Sequence, residues 1–332
     1  MKVTLSDIAD ETGFSVSTVS RTLRGKGKIS EQNERLILET AKRLNYPLQD
    51  NAGTRLKRED MFIALVTGFH IGEFYSSLFN GFVQAGNSKN LDVSMFSVTP
   101  TVEKVCTLLN RLKDKGYSSA VLFVPALHSG DYREILDRVS PSFPLISCSN
   151  INHPVLDTVT FDAYRGASLV AKHFVDQGYG SVGMIEGPVD KPEARFRKNG
   201  FIDTVTHESD VDCIWTFPGD YTLDSGIKAF KEFEKLDHKP RAVFAANDAT
   251  ALGFMETARS HGYHFPDDIA LAGYDNLPMC EYHFPNITSV NTNYTKLAEI
   301  ALDSLMDRLF NPVSHQGLVS MVPVDLVIRH SS

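Results

Sequence analysis

The chain has 332 residues, 42% of them hydrophobic and 22% charged, and a formal net charge of −8 at pH 7. That composition suits ordinary globular protein with two or three domains and excludes disordered, collagenous or disulfide-stapled classes. No apolar run approaches the roughly 20 residues of a membrane span, and no signal-peptide core follows the start, so a cytoplasmic protein without a membrane partner is expected. Cys106, Cys148, Cys213 and Cys280 lack CxxC spacing and read as buried free thiols.

Charge is unevenly divided. Residues 1–58 hold 11 Lys/Arg and 7 Asp/Glu, a surplus of +4, which leaves −12 for the remainder. A basic end on an acidic body concentrates a phosphate-attracting field at that end. Thr4 followed by Asp7 predicts a capping-box-like start to a helix reaching about Thr12, with Leu5, Ile8 and Ala9 inward. Gly13 suits a left-handed turn. Ser15 would cap a second helix, with Val19 and Leu23 facing the core. Ser30 would cap a third, where Leu36, Ile37, Ala41 and Leu44 form an apolar stripe.

A helix, a tight turn and a second helix place the second one in a DNA major groove. Val16 and Ser17 open that helix, and Arg21 lies one turn further on the same face. Arginine pairs bidentately with guanine, and valine packs against a thymine methyl. The plainer alternative makes Val16 a core residue and Arg21 a phosphate grip. Arg24, Lys26 and Lys28 follow in a glycine-rich loop and read as phosphate contacts, which position without specifying.

From Met61 apolar strand runs alternate with amphipathic helices. Phe62–Val66, Val93–Val98, Ala120–Val124 and Pro144–Ile146 are predicted strands, with helices over Phe74–Ser88 and Val102–Lys115. The pattern restarts after about Asp162 with Val182–Ile185, Cys213–Phe217, Ala242–Ala245 and Ile269–Ala272. Such alternation means an α/β fold with parallel sheets covered on both faces. Two like halves imply two lobes, with chain crossings near 158–162, 288–292 and 320–324.

Open parallel sheets bind ligands beyond the carboxyl ends of their strands. The polar and aromatic residues expected there are Glu73, Phe74 and Tyr75, Asp162, Arg195 and Arg197, Tyr221, Asn247 and Asp248, and Tyr274 and Asp275. Carboxylates, amides, arginine and aromatic faces suit a neutral polyol. Asn247 and Asp248 precede a helix, so capping competes with ligand contact there. The 11 histidines show no metal-ligand spacing, and no nucleophile-elbow, Walker or dinucleotide motif is present. No catalytic residue, metal or cofactor is assigned.

These residues resemble the LacI/GalR (lactose-repressor) family of bacterial regulators. Its headpiece pattern is met by Thr4, Leu5, Asp7, Ile8, Ala9, Gly13, Ser15, Thr18, Val19, Ser20 and Arg21, and its end by Leu44-Asn45-Tyr46-Pro47. The stretch from Arg195 to Phe201, Ala245-Ala246-Asn247-Asp248, Ala272-Gly273-Tyr274-Asp275 and Val159-Thr160-Phe161-Asp162 match further family motifs. The resemblance implies a helix-turn-helix headpiece (1–45), a hinge (46–60) and a two-lobed periplasmic-binding-protein-like body (61–332). Lobe 1 would take 61–160 and 291–322, and lobe 2 would take 161–290 and 323–332.

It implies double-stranded operator DNA as partner, contacted by Thr4, Leu5, Ser15, Val16, Ser17, Thr18, Ser20, Arg21, Lys26, Lys28, Asn45 and Tyr46. Leu56 would wedge into the minor groove from a hinge that is helical on DNA. Gly53 falls inside that hinge, where glycine costs about 1 kcal/mol relative to alanine, and the span from Tyr46 to Leu56 is one residue longer than usual. A small effector, most simply a sugar, would be held by Glu73, Phe74, Asp162, Arg195, Arg197, Tyr221, Asn247, Asp248 and Asp275.

The resemblance thus leads to an expected sequence-specific repressor, not an enzyme. With no leucine-heptad helix after Ser332, a homodimer is expected. A sugar-uptake binding protein and a sugar-active enzyme are the rival readings. A corepressor system answering to a phosphorylated sugar or nucleobase also stays open, because Arg195 with Arg197 leaves room for an anion.

Overall fold

The computed structural model describes residues 3–23, 29–44, 46, 61–68, 72–149, 152–207, 211–310 and 317–332. Lys26, Lys28, Asn45, Gly53 and Leu56 lie outside them, so the expectations placed on these residues do too. The chain divides into two units, Met1–Met61 and Phe62–Ser332.

In the first unit, α1 (Leu5–Thr12) begins at Thr4, whose backbone N–H donates to the Asp7 carboxylate at 2.7 Å. It ends at Gly13, where φ is +72°. That left-handed turn is open to glycine without a Cβ penalty, and it aims the chain into α2 (Val16–Leu23). The Ser15 hydroxyl caps α2 by accepting from the Thr18 N–H at 3.1 Å. With α3 (Glu31–Arg43), these helices bury Ile8, Ala9, Val19, Leu23, Ile37 and Ala41. An Arg43–Glu11 ion pair ties α3 to α1. One expectation fails: Leu36 is exposed, and Thr40 is buried in the stripe instead. Ile37, Thr40, Ala41 and Leu44 keep the helical 3–4 spacing, whereas Leu36 sits about 100° off it.

The second unit carries two six-stranded sheets. The first orders as β2 (Asp92–Val98), β1 (Phe62–Gly68), β3 (Ser119–Phe123), β4 (Leu145–Ser147), β5 (Thr158–Phe161) and β11 (Val319–Val322), all parallel. The second orders as β7 (Asp212–Phe217), β6 (Ser181–Ile185), β8 (Ala242–Ala245), β9 (Ala270–Asp275), β10 (Thr288–Asn291) and an antiparallel β12 (Asp325–Val327). Inner strands such as β8 and β9 are buried at every residue, while the edge strand β7 alternates, as sheets covered on both faces require.

Helices α4 (Glu73–Ser88), α5 (Val102–Asp114), α6 (Ser129–Arg138) and α12 (Tyr294–Phe310) flank the first sheet. Helices α7 (Ala163–Asp176), α8 (Pro192–Thr206), α9 (Leu223–Glu234) and α10 (Asp248–Ser260) flank the second, with the single turn α11 (Met279–Tyr282) after β9. Helices α7 and α8 meet at Gly200, where a Cβ would stand 2.1 Å from the Tyr164 carbonyl oxygen. The chain passes between lobes three times: from β5 into α7 at Asp162, from β10 into α12, and from β11 to β12. Asp157 anchors the first lobe by accepting from Arg308 Nε at 2.8 Å, Arg308 Nη2 at 2.7 Å and the Leu318 N–H at 2.9 Å.

Candidate functional site

In both sheets strand order reverses beside the first strand of the lobe, between β1 and β3 and between β6 and β8. Ligands of doubly wound folds bind outside such switch points, at the strands' carboxyl ends. The two carboxyl edges face one another. Glu73 Oε2, at the start of α4, accepts the Met279 N–H at 2.9 Å. Lys191 Nζ donates to the Pro125 carbonyl oxygen at 3.3 Å, and Arg195 Nη2 to Asn152 Oδ1 at 2.6 Å.

The second lobe's wall is built around Arg197. Pro192 in the first turn of α8 sets the helix start, and Arg197 follows one turn later with only 8% of its surface exposed. Its Nη1 donates to the Ala246 carbonyl and its Nη2 to Asp275 Oδ1 at 3.3 Å. The guanidinium lies 3.7 Å from the Tyr274 ring centroid and 5.4 Å from that of Tyr221. The Arg197 Nε and the Tyr221 and Tyr274 hydroxyls are buried without a hydrogen-bond partner. Buried polar groups are normally paired, and these three lack a partner among the described residues.

Asp275 ends β9 with φ +111° and Tyr221 has φ +68°. Such non-glycine backbone costs about 1–3 kcal/mol and collects at binding sites. The Asp275 carbonyl is held by Thr292 Oγ1 at 2.9 Å and by the Tyr294 hydroxyl at 3.5 Å. Burial pushes the Asp275 carboxyl above its ordinary range, against the pull of Arg197.

The first lobe contributes an aromatic wall. Phe74 packs on Tyr75, Phe123 and Tyr294 with centroids 5.2, 5.3 and 5.7 Å away, and Phe161 meets Tyr294 at 5.7 Å. Phe123 and Phe161 are the last residues of β3 and β5. They were missed in the sequence, although the carboxyl-end rule applied to those strands finds them. Glu193 was missed too. It lies four residues before Arg197 on the same face of α8, is half-buried, and acts electrostatically on Tyr75 across the cleft and on Tyr221, Arg197 and Asp275.

Other residues expected at the site also bond within the protein. Asp248 is fully buried; its oxygens accept Ser289 Oγ at 2.6 Å and the Leu277 N–H at 2.8 Å. Asn247 caps α10 through the Thr250 N–H at 3.1 Å and donates to the Tyr221 carbonyl at 2.9 Å. Asp162 caps α7 through the Arg165 N–H at 3.0 Å and stays half-exposed. Arg195 and Arg197 do not form a joint anion grip: two positions apart on a helix they diverge, Arg195 exposed and Arg197 buried. Among the described residues no metal-binding cluster of His, Cys, Asp and Glu occurs.

In the headpiece unit, Val16 is 46% exposed, which removes it from the core. Ser17 and Arg21 are exposed beside it. Ser15 and Thr4 are exposed caps, the hydroxyls of Ser15 and Thr18 are 2.8 Å apart, and Ser20 is half-buried. Leu5 and Tyr46 pack against the core, so their side chains brace the unit.

A headpiece with one bare helix end and a two-lobed body with a polar cleft define a DNA-binding regulator rather than a uniform enzyme fold. Residues 4–47 match the family described as bacterial regulatory proteins, lacI family, and residues 171–332 match the periplasmic binding protein-like domain. The chain thus carries a lacI-type DNA-binding domain followed by a periplasmic binding protein-like domain. It is 24% identical over 329 residues to the HTH-type transcriptional repressor PurR of Mannheimia succiniciproducens, covering 99% of this chain and 98% of that one. Its fold matches the Lac repressor dimer bound to operator and the anti-inducer ONPF, at TM-score 0.72 and 22% identity over 100% of this chain and 99% of that one. It also matches the transcriptional regulator CelR–cellobiose complex, at TM-score 0.70 and 21% identity over 99% and 100%. The chain is a DNA-binding transcriptional regulator. No described helix is long and apolar enough to cross a membrane.

Proposed function

We propose that the chain is a cytoplasmic repressor that binds a near-palindromic operator as a homodimer and is controlled by a small polyhydroxylated effector, most simply a sugar. Residues 1–45 act as headpiece, 46–60 as hinge and 61–332 as effector and dimerisation body. The carrying observation is the buried Arg197, whose Nε has no hydrogen-bond partner among the described residues, in the lobe whose carboxyl edge faces the one bearing Phe74 and Tyr75. Arginine donors facing an aromatic wall suit hydroxyls on one face of a ring and its CH groups on the other. Relatives in the fold bind cellobiose and the anti-inducer ONPF, which supports a ligand of that size.

Arg197, Asp275 and Tyr221 contact the effector, with Glu73, Phe74 and Asp162 at the rim. Arg195 guards the opening, and Asn247 and Asp248 hold the wall in shape. Val16, Ser17 and Arg21 read base edges from the start of α2. An effector shifts operator affinity only by its preference between lobe arrangements, and typical coupling of 1–3 kcal/mol gives roughly 5–150-fold. Selection from random duplex DNA with the full chain, followed by footprinting, tests this reading. Enrichment of a two-fold symmetric site covered by a dimer is expected; failure to enrich any sequence, or a monomer on an asymmetric site, overturns it.

A further inference from the structure

Among the described residues Glu193 is the one cleft carboxylate with no hydrogen bond or ion pair to another residue. Asp248 is spent on Ser289 and Leu277, Asp162 on the α7 cap, Glu73 on Met279, and Asp275 on Arg197. Glu193 makes no hydrogen bond or ion pair to another residue among the described ones. The nearby cations are already engaged. Arg197 serves Asp275 and Ala246, and Lys191 serves Asp190 at 2.8 Å and Pro125. Arg195 stands outside on Asn152. The groups facing Glu193 are Tyr75 from α4, Tyr221 from the loop before α9, Asp275 from β9, and Asp190, Lys191 and Arg197 from its own segment.

The geometry points to an effector that carries a protonated amine on its polyol frame, an amino sugar or aminopolyol, with the ammonium seated on the Glu193 carboxylate opposite Tyr75. This rests on the polyol reading above and narrows it. The Arg197 Nε and Tyr221 hydroxyl, both acted on by Glu193, are buried without a hydrogen-bond partner among the described residues. Glu193, Asp275 and Asp248 all act on the buried Arg197 guanidinium, so a phosphate group entering there would meet carboxylates as well. Arg197 and Lys191 offset the Glu193 charge in part, but a neutral sugar would close the cleft over a carboxylate with no ion pair among the described residues, which is costly. An ammonium brings the missing charge and three donors. Burial already pushes the Glu193 carboxyl up, so the ionised form gains most from such a partner.

The test is calorimetric titration of the full-length dimer with glucose, galactose and mannose, their 2-amino-2-deoxy forms and their 6-phosphates, at pH 7.5 and 5.5. The expected result is an amino form bound at least about tenfold more tightly than its neutral counterpart, the worth of one charge-assisted contact. That preference should shrink at pH 5.5 and collapse in Glu193→Gln, which should still unfold cooperatively near the wild-type temperature. A neutral or phosphorylated form bound more tightly than its amino counterpart overturns the proposal while leaving the polyol reading intact. So does a preference that survives Glu193→Gln. No binding by any of the nine compounds at millimolar concentration overturns the polyol reading, and the proposal with it.

Discussion

The guanidinium of Arg197 lies over the ring of Tyr274, 3.7 Å from its centroid, while its forked nitrogens reach Ala246 and Asp275. One residue of α8 is thus held by two successive residues of β9 and by the loop after β8. The cleft wall is set before any ligand arrives, which lowers the ordering cost of binding. Arg197→Lys removes the fork and the stacking plane. Effector affinity should fall roughly 10–150-fold, the worth of one charge-assisted bond of about 1.5–3 kcal/mol, while operator binding without effector persists. Paired calorimetric and anisotropy titrations check this.

Tyr274 offers a finer test. Its hydroxyl is buried and unpartnered, so Tyr274→Phe keeps the ring beneath Arg197 and removes an unsatisfied polar group. Stability should hold or rise by up to about 1 kcal/mol. Tyr274→Leu removes the stacking face and leaves a void, with an expected loss of about 2–4 kcal/mol. Urea unfolding of the three proteins separates the outcomes.

The Gly200 contact with Tyr164 leaves no room for a methyl group. Gly200→Ala must push α7 from α8 and should destabilise the second lobe by about 1–3 kcal/mol or more, despite alanine's better helix propensity. A raised thermal midpoint would contradict the packing.

Acid should act on the cleft with a defined sign. Burial raises the carboxyls of Asp248 and Asp275 above the ordinary aspartate value of 3.8. The native state therefore binds protons more tightly than the unfolded one. These two groups make stability fall as pH rises, in the window from the unfolded value near 3.8 up to the raised folded values. Asp248→Asn keeps an acceptor for Leu277 and a partner for Ser289, so it should flatten that slope. Urea midpoints across pH 4 to 8 measure it, and an unchanged slope would count against the burial argument.

At the headpiece, Val16 and Ser17 stand exposed at the start of α2. Substituting them should change which bases are preferred, whereas Lys26→Ala should weaken every sequence alike and reduce the salt slope by about 1. Equal losses across a set of operator variants for both would remove the base-contact assignment.

Much of this was legible in the chain because local rules dominate there. Thr4 with Asp7, Gly13 and Ser15 fix the headpiece turns through backbone capping, and those signals need no tertiary context. The strands stand out because a sheet covered on both faces demands unbroken apolar runs such as Ala242–Ala245. Leu36 was misread because an apolar residue beside a stripe looks like part of it, and only three-helix packing sends it outward. Arg195 and Arg197 look alike in the sequence, yet the helix turns one outward and the other into the wall. Glu193 was overlooked because a carboxylate in a first helical turn reads as dipole complement, and its vacancy depends on Arg197 and Lys191 being engaged by residues distant in sequence.

We propose that occupancy of the Arg197 cleft sets the affinity of the headpiece for its operator. The direct measurement is fluorescence anisotropy on the selected operator at fixed salt, with and without the sugar that calorimetry identifies, for the wild type and for Arg197→Lys. The account predicts an operator affinity that shifts roughly 5–150-fold with the sugar in the wild type and hardly moves in the variant. An operator affinity indifferent to a sugar that demonstrably fills the cleft, or a full response retained in Arg197→Lys, would contradict it.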